Sequence, residues 1–372
     1  MRIDCIFGTR PEAIKMLPVV RELRTRGVRV RTVFTSQHPT MAPDVFSAFS
    51  VCPDVTLPPL AEGDMATRLG GMLSSLCAMT DDGAEGAEQS EPRAVLVQGD
   101  TLTALAGGLF GFLSGRRVIH LEAGLRTHAP RTPYPEEAVR RTLAALCDLH
   151  LAPTPFAVQN LLREGVPRAS VRLVGNTTHD ALRTLMPSAV PYPKTEGRYL
   201  WLLTLHRREC DSQTRRAILA AVRALLDEYP TCDLLLPVHP SPAVKEDAEA
   251  ALGGHARARL VPPMPPRAFY GALAAADLVL TDSGGVQEEA ALLGANPLVL
   301  REVTEREEEL YGGRLTLVGT RPEAISAAVR ERMQTLLAFP ALTRREQTLF
   351  DNAEASSPAV RAAEEIACFL QA

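Results

Sequence analysis

Along the chain, short runs of Val, Ile and Leu alternate with longer stretches in which apolar residues recur at helical spacing. Runs without polar alternation suit strands buried on both faces, and the intervening helices would cover them, so the pattern predicts parallel sheets in an α/β fold. Strands are predicted in the first half at residues 2–7, 28–35, 94–98, 117–121 and 148–152. In the second half they are predicted at 171–174, 199–205, 233–238, 259–261, 277–281, 297–300 and 315–318. Each half has strands enough to form its own doubly wound sheet.

Three segments punctuate this pattern. Residues 187–197 are rich in proline and aperiodic, as a connecting loop near a domain boundary would be, and the acidic stretch 80–92 reads as a solvated loop. From Ser357 and Pro358 a capping residue and a first-turn proline precede Val360, Ala363, Ile366 and Phe369 at helical spacing, predicting a terminal helix with one buried face. A length of 372 residues exceeds what one core serves, so two domains with a cleft between them are expected.

Charge narrows the function. With 40 basic and 44 acidic residues the net charge is -4, which leaves no basic field for nucleic acid; an anionic ligand needs a local cluster. The 7 cysteines are odd in number and scattered without a C-x-x-C pair, so neither a disulfide framework nor a zinc site is expected, and the compartment is expected to be the reducing cytoplasm. The N-terminus MRIDCIFGTRPE runs quickly into charge, and no window approaches the ~18 apolar residues of a membrane span, so neither targeting signal nor anchor is expected.

Open α/β sheets bind ligands beyond the carboxyl ends of their strands, which directs attention to the strand-to-helix turns. Gly8-Thr9-Arg10-Pro11-Glu12-Ala13-Ile14-Lys15 looks like a phosphate grip, with free amides, a helix N-terminus and the cations Arg10 and Lys15; solvated surface cations are the plain alternative. The absence of G-x-G-x-x-G weakens a dinucleotide reading. Asp100, in Gln98-Gly99-Asp100-Thr101, faces the crevice or simply caps a helix. Glu122 follows the next strand, in a run where Gly124 suggests close backbone approach. Glu136 and Arg140 lie at i,i+4 at a helix start, where a surface ion pair is the ordinary explanation.

In the second half, His206, Arg207 and Arg208 follow a strand, and a histidine so flanked suits a phosphate-facing acid or donor. Thr281-Asp282-Ser283-Gly284-Gly285-Val286-Gln287-Glu288-Glu289 opens a helix with amides available for a diphosphate, and Glu289 can reach ribose hydroxyls. Thr304 and Arg306 supply further polar groups after the strand at 297–300.

Read in order, FGTRPEAIK, GDT, EAGLRT, PEE with Arg140, VGNT with Asp180, HRRE, PVHP, DSGGVQEE and Thr304-Glu305-Arg306 resemble the non-hydrolysing UDP-N-acetylglucosamine 2-epimerases over residues 1 to 319. The resemblance implies a GT-B fold of two Rossmann-like domains, residues 1–171 with 353–372 and residues 172–352, the terminal helix returning to the first. It further implies a homodimer that binds UDP-N-acetylglucosamine and UDP without a cofactor or metal. The implied chemistry inverts C2 by anti elimination of UDP to a 2-acetamidoglucal and syn re-addition. Asp100, Glu122 and Glu136 would carry the proton traffic, at least one with a raised pKa because converging carboxylates repel. His206 would assist at the diphosphate. Arg10, Lys15, Arg140, Arg207 and Arg306 would lie near phosphates and sugar, Ser283, Gly284 and Gly285 on the diphosphate, and Glu289 on the ribose.

The chain also departs from the family pattern. Gln37-His38-Pro39-Thr40-Met41 stands where relatives carry Gln-His-Arg-(Glu or Gln)-Met for a second, activating substrate molecule, so activation by substrate is expected to be lost or weak. Thr304-Glu305-Arg306-Glu307-Glu308 replaces Thr-Glu-Arg-Pro-Glu, and Asp351-Asn352-Ala353-Glu354-Ala355 replaces Asn-Pro-Tyr-Gly-Asp-Gly, which would alter the hinge. Such drift fits recruitment to antibiotic biosynthesis, an actinomycete aminoglycoside pathway of the kasugamycin type; wall or capsule precursor supply is the alternative. The rival activities are a hydrolysing epimerase, a GT-B glycosyltransferase and a non-catalytic sugar-nucleotide sensor.

Overall fold

The structure is a computed structural model that describes residues 2–38, 43–60, 63–79, 93–205, 211–339 and 357–371. The chain divides into two compact units, Met1–Thr184 with Ala355–Ala372, and Leu185–Glu354.

In the first unit the elements run β1 (Arg2–Phe7), α1 (Arg10–Thr25), β2 (Arg29–Phe34), α2 (Pro43–Phe49), β3 (Val55–Thr56), α3 (Met65–Cys77), β4 (Arg93–Gln98) and α4 (Leu102–Leu113). They continue with β5 (Arg117–Leu121), α5 (Glu136–Leu146), β6 (Leu149–Ala152), α6 (Pro155–Arg163), β7 (Val171–Leu173) and α7 (Thr178–Leu185). The seven strands are parallel in the order β3-β2-β1-β4-β5-β6-β7.

The second unit contains β8 (Tyr199–Thr204), α8 (Ser212–Glu228), β9 (Cys232–Pro237), α9 (Pro242–Leu252), β10 (Ala258–Val261), α10 (Pro266–Ala275), β11 (Leu278–Thr281) and α11 (Gly284–Leu292). It then has β12 (Leu298–Val299), α12 (Glu307–Tyr311), β13 (Thr316–Leu317) and α13 (Pro322–Ala338). Its parallel sheet has the order β10-β9-β8-β11-β12-β13. Both orders reverse direction beside the first strand of the unit, β1 next to β4 and β8 next to β11, and ligands bind open sheets at such switch points.

Strand periodicity explains the layers. Ile3, Cys5 and Phe7 face one side of the first sheet and pack with Met16, Leu17 and Leu23 of α1; Ile6 faces the other, with Val95, Val97, Phe110 and Leu143. Each such fully buried side chain contributes ~1.5–3 kcal/mol. At the switch point the backbone pairing stops early. The β1–β2 and β4–β5 ladders reach Phe7–Phe34 and Gln98–Leu121, but the β1–β4 ladder ends at Cys5–Leu96.

The last element, α14 (Pro358–Gln371), belongs to the first unit and buries Ala359, Ala362, Ala363, Ile366 and Leu370 in the same core as α1, a stripe one position round from the predicted Val360 and Phe369. Ser357 caps it, accepting from the Val360 amide at 3.2 Å, and Asp180 of α7 accepts from the Ala359 amide at 2.9 Å and from the Ser357 hydroxyl. That explains Asp180, whose place in the resemblance carried no structural reason.

Two strand assignments need correction. The strand at 171–174 was placed in the second half, but β7 pairs with β6 at the edge of the first sheet, because Val171 buries against Ala123, Ala152 and Leu161. The two-residue strand β3 is too short to leave a periodic signal and was missed. Residues 187–197 fall in the second unit, where the Val190 amide bonds the Arg267 carbonyl at 3.0 Å and Lys194 pairs with Asp277 at 2.6 Å. The acidic stretch 80–92 lies outside the described residues. Among the described residues no helix is long and apolar enough to cross a membrane.

Candidate active site

The turn after β1 is organised by Glu12. Thr9 caps α1 and Glu12 completes a capping box. The Glu12 Oε2 accepts from the Gly8 amide at 3.1 Å, the Thr9 amide at 2.8 Å and the Thr9 hydroxyl at 2.7 Å. Its Oε1 accepts from the Thr101 hydroxyl at 2.7 Å, across the β1–β4 junction. The amides expected to grip a phosphate are therefore occupied by the protein's own carboxylate. Gly8 is required by crowding: a Cβ there would stand 2.1 Å from Thr35 Oγ1 and 2.3 Å from Thr103 Oγ1.

Lys15 also departs from the grip. It is buried, and its Nζ donates to Glu122 Oε2 at 2.6 Å, where the Gln98 amide also donates. Arg10, half-buried at the first position of α1, remains at the helix N-terminus as expected. Glu122 adopts φ 66, a left-handed conformation that costs a non-glycine residue ~1–3 kcal/mol and collects at functional sites. Gly124 follows at φ 93, its Cβ position only 2.3 Å from the Ala157 carbonyl oxygen. The close approach read from the sequence is this contact with α6, and Asn160 of that helix donates to the Gly124 carbonyl at 3.1 Å.

Asp100 loses its plain explanation. The cap of α4 is Thr101, whose hydroxyl accepts from the Ala104 amide at 3.0 Å, while Asp100, partly exposed, accepts from Arg140 Nη1. A surface ion pair with Glu136 was the ordinary explanation of Arg140; the structure buries Arg140 and places it on Glu137, at i,i+3, with contacts of 3.1 and 2.9 Å, and on Asp100. Glu137 is fully buried and also accepts from Arg141 at 3.1 Å and from the Thr127 amide at 3.1 Å. Glu136 is half-buried in the first turn of α5, where the helix dipole favours an acid.

Two buried groups shape the electrostatics of this edge. Burial pushes the Glu12 carboxyl up to about 7, against the pull of its hydrogen bonds. A raised carboxyl was expected among Asp100, Glu122 and Glu136; a fourth acid supplies one. Burial also drives the His120 imidazole down to about 3, so the ring is neutral. Its Nε2 lies 2.8 Å from the Gly99 carbonyl oxygen, which can only accept, so the proton is on Nε2. Sequence reasoning missed Glu12, Glu137 and His120 as members of the site. Glu12 and Glu137 lay inside quoted motifs and His120 two residues before one, but each contacts other residues of these turns, which spacing does not reveal.

The second unit carries the helix start at which an anion was expected. Helix α11 begins at Gly284 with Ser283 as its cap residue, whose side chain makes no capping hydrogen bond. A Cβ on Gly285 would meet nothing within 4 Å and its φ is not left-handed, so neither packing nor backbone strain requires glycine there. A Cβ on Gly284 would lie 3.1 Å from Glu305 and 3.6 Å from Arg306 Nη2, which puts the Arg306 guanidinium beside the helix start. Arg306 is buried in a network, 2.7 Å from Glu288 and 2.5 Å from Glu305, with Arg301 3.0 Å from Glu305. Thr304 donates to Gln287 at 2.9 Å, and Glu289 accepts from the Tyr270 hydroxyl at 2.8 Å.

His206 and Arg207, Pro39 to Met41 and the segment 351–355 lie outside the described residues. Gln37 is described, and its side-chain oxygen accepts from the Thr103 amide at 3.0 Å and hydroxyl at 2.8 Å, capping α4. Among the described residues no group of three or more His, Cys, Asp or Glu is arranged to hold a metal.

A profile of the family described as UDP-N-acetylglucosamine 2-epimerase matches residues 21–364. UDP-N-acetylglucosamine 2-epimerase of Bacillus subtilis (strain 168) is 38% identical over 329 residues, covering 87% of this chain and 85% of its own. The crystal structure of UDP-GlcNAc 2-epimerase from Neisseria meningitidis bound to UDP-GlcNAc superposes with a TM-score of 0.86 at 32% identity, covering 100% of both chains. The S. aureus MnaA-UDP co-structure gives a TM-score of 0.84 at 35% identity, covering 98% of this chain and 95% of the other.

Proposed function

The chain belongs to the UDP-N-acetylglucosamine 2-epimerase family, with its GT-B-like fold, and from that membership we propose that it interconverts UDP-N-acetylglucosamine and UDP-N-acetylmannosamine without hydrolysis. A base removes the proton from C2 while the C1–oxygen bond breaks. The electron pair of the C2–H bond forms the C1–C2 double bond of a 2-acetamidoglucal, and UDP departs with the pair of the C1–oxygen bond. UDP then re-adds through the same oxygen at C1 as an acid delivers a proton to the opposite face of C2. Direct inversion would leave an electron pair on C2 with no adjacent group to hold it, whereas elimination places that pair in the C1–C2 double bond as UDP leaves.

One arrangement supports this reading. Asp100 and Glu122, each in contact with a buried cation, and Glu136 all belong to the turns at the carboxyl edge of the first sheet. Two acids of differing surroundings beside the sugar can serve proton removal and delivery, and clustered acids are superfluous for transfer to an external acceptor. The open first turn of α11, with Arg306 beside it, suits the departing diphosphate, and Glu289 the ribose. His206 and Arg207 complete the diphosphate contacts in this proposal, and the enzyme acts as a cytoplasmic homodimer.

Incubation with UDP-N-acetylglucosamine in deuterated water, followed at C2 by NMR and mass spectrometry, tests it. Deuterium in both UDP-sugars is expected; stoichiometric free UDP with N-acetylmannosamine would overturn the non-hydrolysing assignment. UDP-N-acetylmannosamine supplied alone is expected to react without a lag, since the second-ligand motif is altered at Pro39 and Thr40.

A further inference from the structure

Between β1 and β4 the backbone ladder stops two residues short of either strand's end, at Cys5–Leu96, while both flanking ladders continue. Beyond that point the helices α1 and α4 leave on opposite faces of the sheet, as at any switch point, and the two turns they start from have no shared backbone pairing. Asp100 sits on one of these turns and Arg10 on the other.

Side chains span the interval. Glu12 reaches from α1 to the Thr101 hydroxyl at 2.7 Å, and Thr101 immediately follows Asp100. Thr101 Oγ1 accepts from the Ala104 amide and donates its proton to Glu12, because an ionised carboxylate can only accept. The other Glu12 oxygen is committed to Gly8 and Thr9.

A capping box accounts for the bond to the Thr9 amide. It does not account for the 1% exposure of Glu12 or for a fourth donor from another element. A capping glutamate left at the surface would satisfy the helix at far lower desolvation cost. We infer that Glu12 is a positioning residue for the reaction, its carboxylate fixing the turn that bears Asp100 to helix α1 where the sheet's own pairing has ended.

The inference rests on the epimerase reading only in naming the reaction; the tie between the turns stands on geometry. Small displacements of an acid from its reacting proton cost about 10²-fold in rate. The test uses Glu12→Ala, Glu12→Gln, Thr101→Val and the double variant Glu12→Ala/Thr101→Val in the full chain. C2 deuterium wash-in gives kcat and KM, and amide hydrogen exchange is read at residues 99–101.

Glu12→Ala and Thr101→Val are each expected to lower kcat roughly ten- to a hundredfold at unchanged KM, with non-additive effects in the double variant. Amide exchange at 99–101 should quicken in Glu12→Ala although the substitution lies on another element, and Glu12→Gln, which retains an acceptor, should recover part of both. Unchanged kcat, with faster exchange confined to residues 8 and 9, would overturn the inference and leave only a helix cap. Should Glu12→Ala fail to fold, Thr101→Val carries the test, and an unchanged kcat there overturns it. Absence of C2 exchange in the unaltered protein would instead overturn the epimerase reading, while the amide exchange still decides the tie.

Discussion

The ammonium of Lys15 lies 2.6 Å from the Glu122 carboxylate, and both side chains are buried. A lysine at this position of the first helix looks from the sequence like a phosphate ligand; in the fold it is the partner of an acid.

Breaking such a pair from one side leaves a buried charge uncompensated. Lys15→Met is expected to destabilise the protein by ~3–5 kcal/mol and to abolish C2 exchange. Lys15→Met/Glu122→Gln, which removes both charges, should recover most of the stability and none of the activity. Urea unfolding midpoints beside deuterium wash-in check this, and a double variant no more stable than Lys15→Met would contradict it.

Two glycines separate structural need from ligand need. Gly124→Ala must place a Cβ 2.3 Å from a backbone oxygen at φ 93, so a loss of at least ~2 kcal/mol is expected. Gly285→Ala meets empty space in the first turn of α11 and should leave stability unchanged or raise it by ~0.4–1 kcal/mol. The same substitution should weaken UDP binding, because the added methyl stands where the diphosphate would approach. Thermal unfolding with calorimetric UDP titration decides; undiminished affinity in Gly285→Ala would remove α11 from the binding site.

Acid sensitivity follows from the buried titrating groups. His120 and His150 are held down to about 3 and 4, chiefly by burial, against ~6.5 in an unfolded chain. Below pH ~6.5 the unfolded chain takes up protons that the folded histidines refuse, so stability falls as pH falls. Glu12 acts in the opposite sense: raised to about 7, its contribution is fully present below its unfolded value and lost as pH rises through 7. Two histidines outweigh one carboxyl. From pH ~6 to ~4.5 the net difference is one proton, or ~1.4 kcal/mol lost per pH unit from these groups. Urea titrations across that range should show the decline, and His150→Gln should flatten it.

The fold was legible wherever strands ran long enough to show their pattern. Eleven of the twelve predicted strands lie in the half assigned to them, and the twelfth, β7, was misplaced only because an edge strand does not state which sheet it joins. The placement of the candidate residues was legible in outline: Asp100, Glu122, Arg140, Gly285 and Arg306 all lie at carboxyl-end turns or on the helices that follow. Pairing was not. Lys15 with Glu122 spans 107 residues and Glu12 with Thr101 spans 89, and no local spacing rule reports contacts between turns brought together by a crossover.

Adjacent acids at the start of α5 provide the sharpest contrast of that kind, since Glu136 and Glu137 read alike in sequence. Glu137 is fully buried beneath Arg140, Arg141 and the Thr127 amide, whereas Glu136 is half-buried in the first turn. Glu137→Gln keeps the shape but removes the charge facing two guanidinium groups, so a loss of ~2–4 kcal/mol is expected. Arg140, released from one side, should hold Asp100 less firmly and lower kcat in proportion. Glu136→Gln should cost no more than ~1 kcal/mol, the scale of an acid at a helix start, yet suppress C2 exchange far more strongly. Stability and activity would then separate on neighbouring residues: one variant weak and partly active, the other sound and inert. If Glu136→Gln retains full exchange, Glu136 takes no part in the proton transfer.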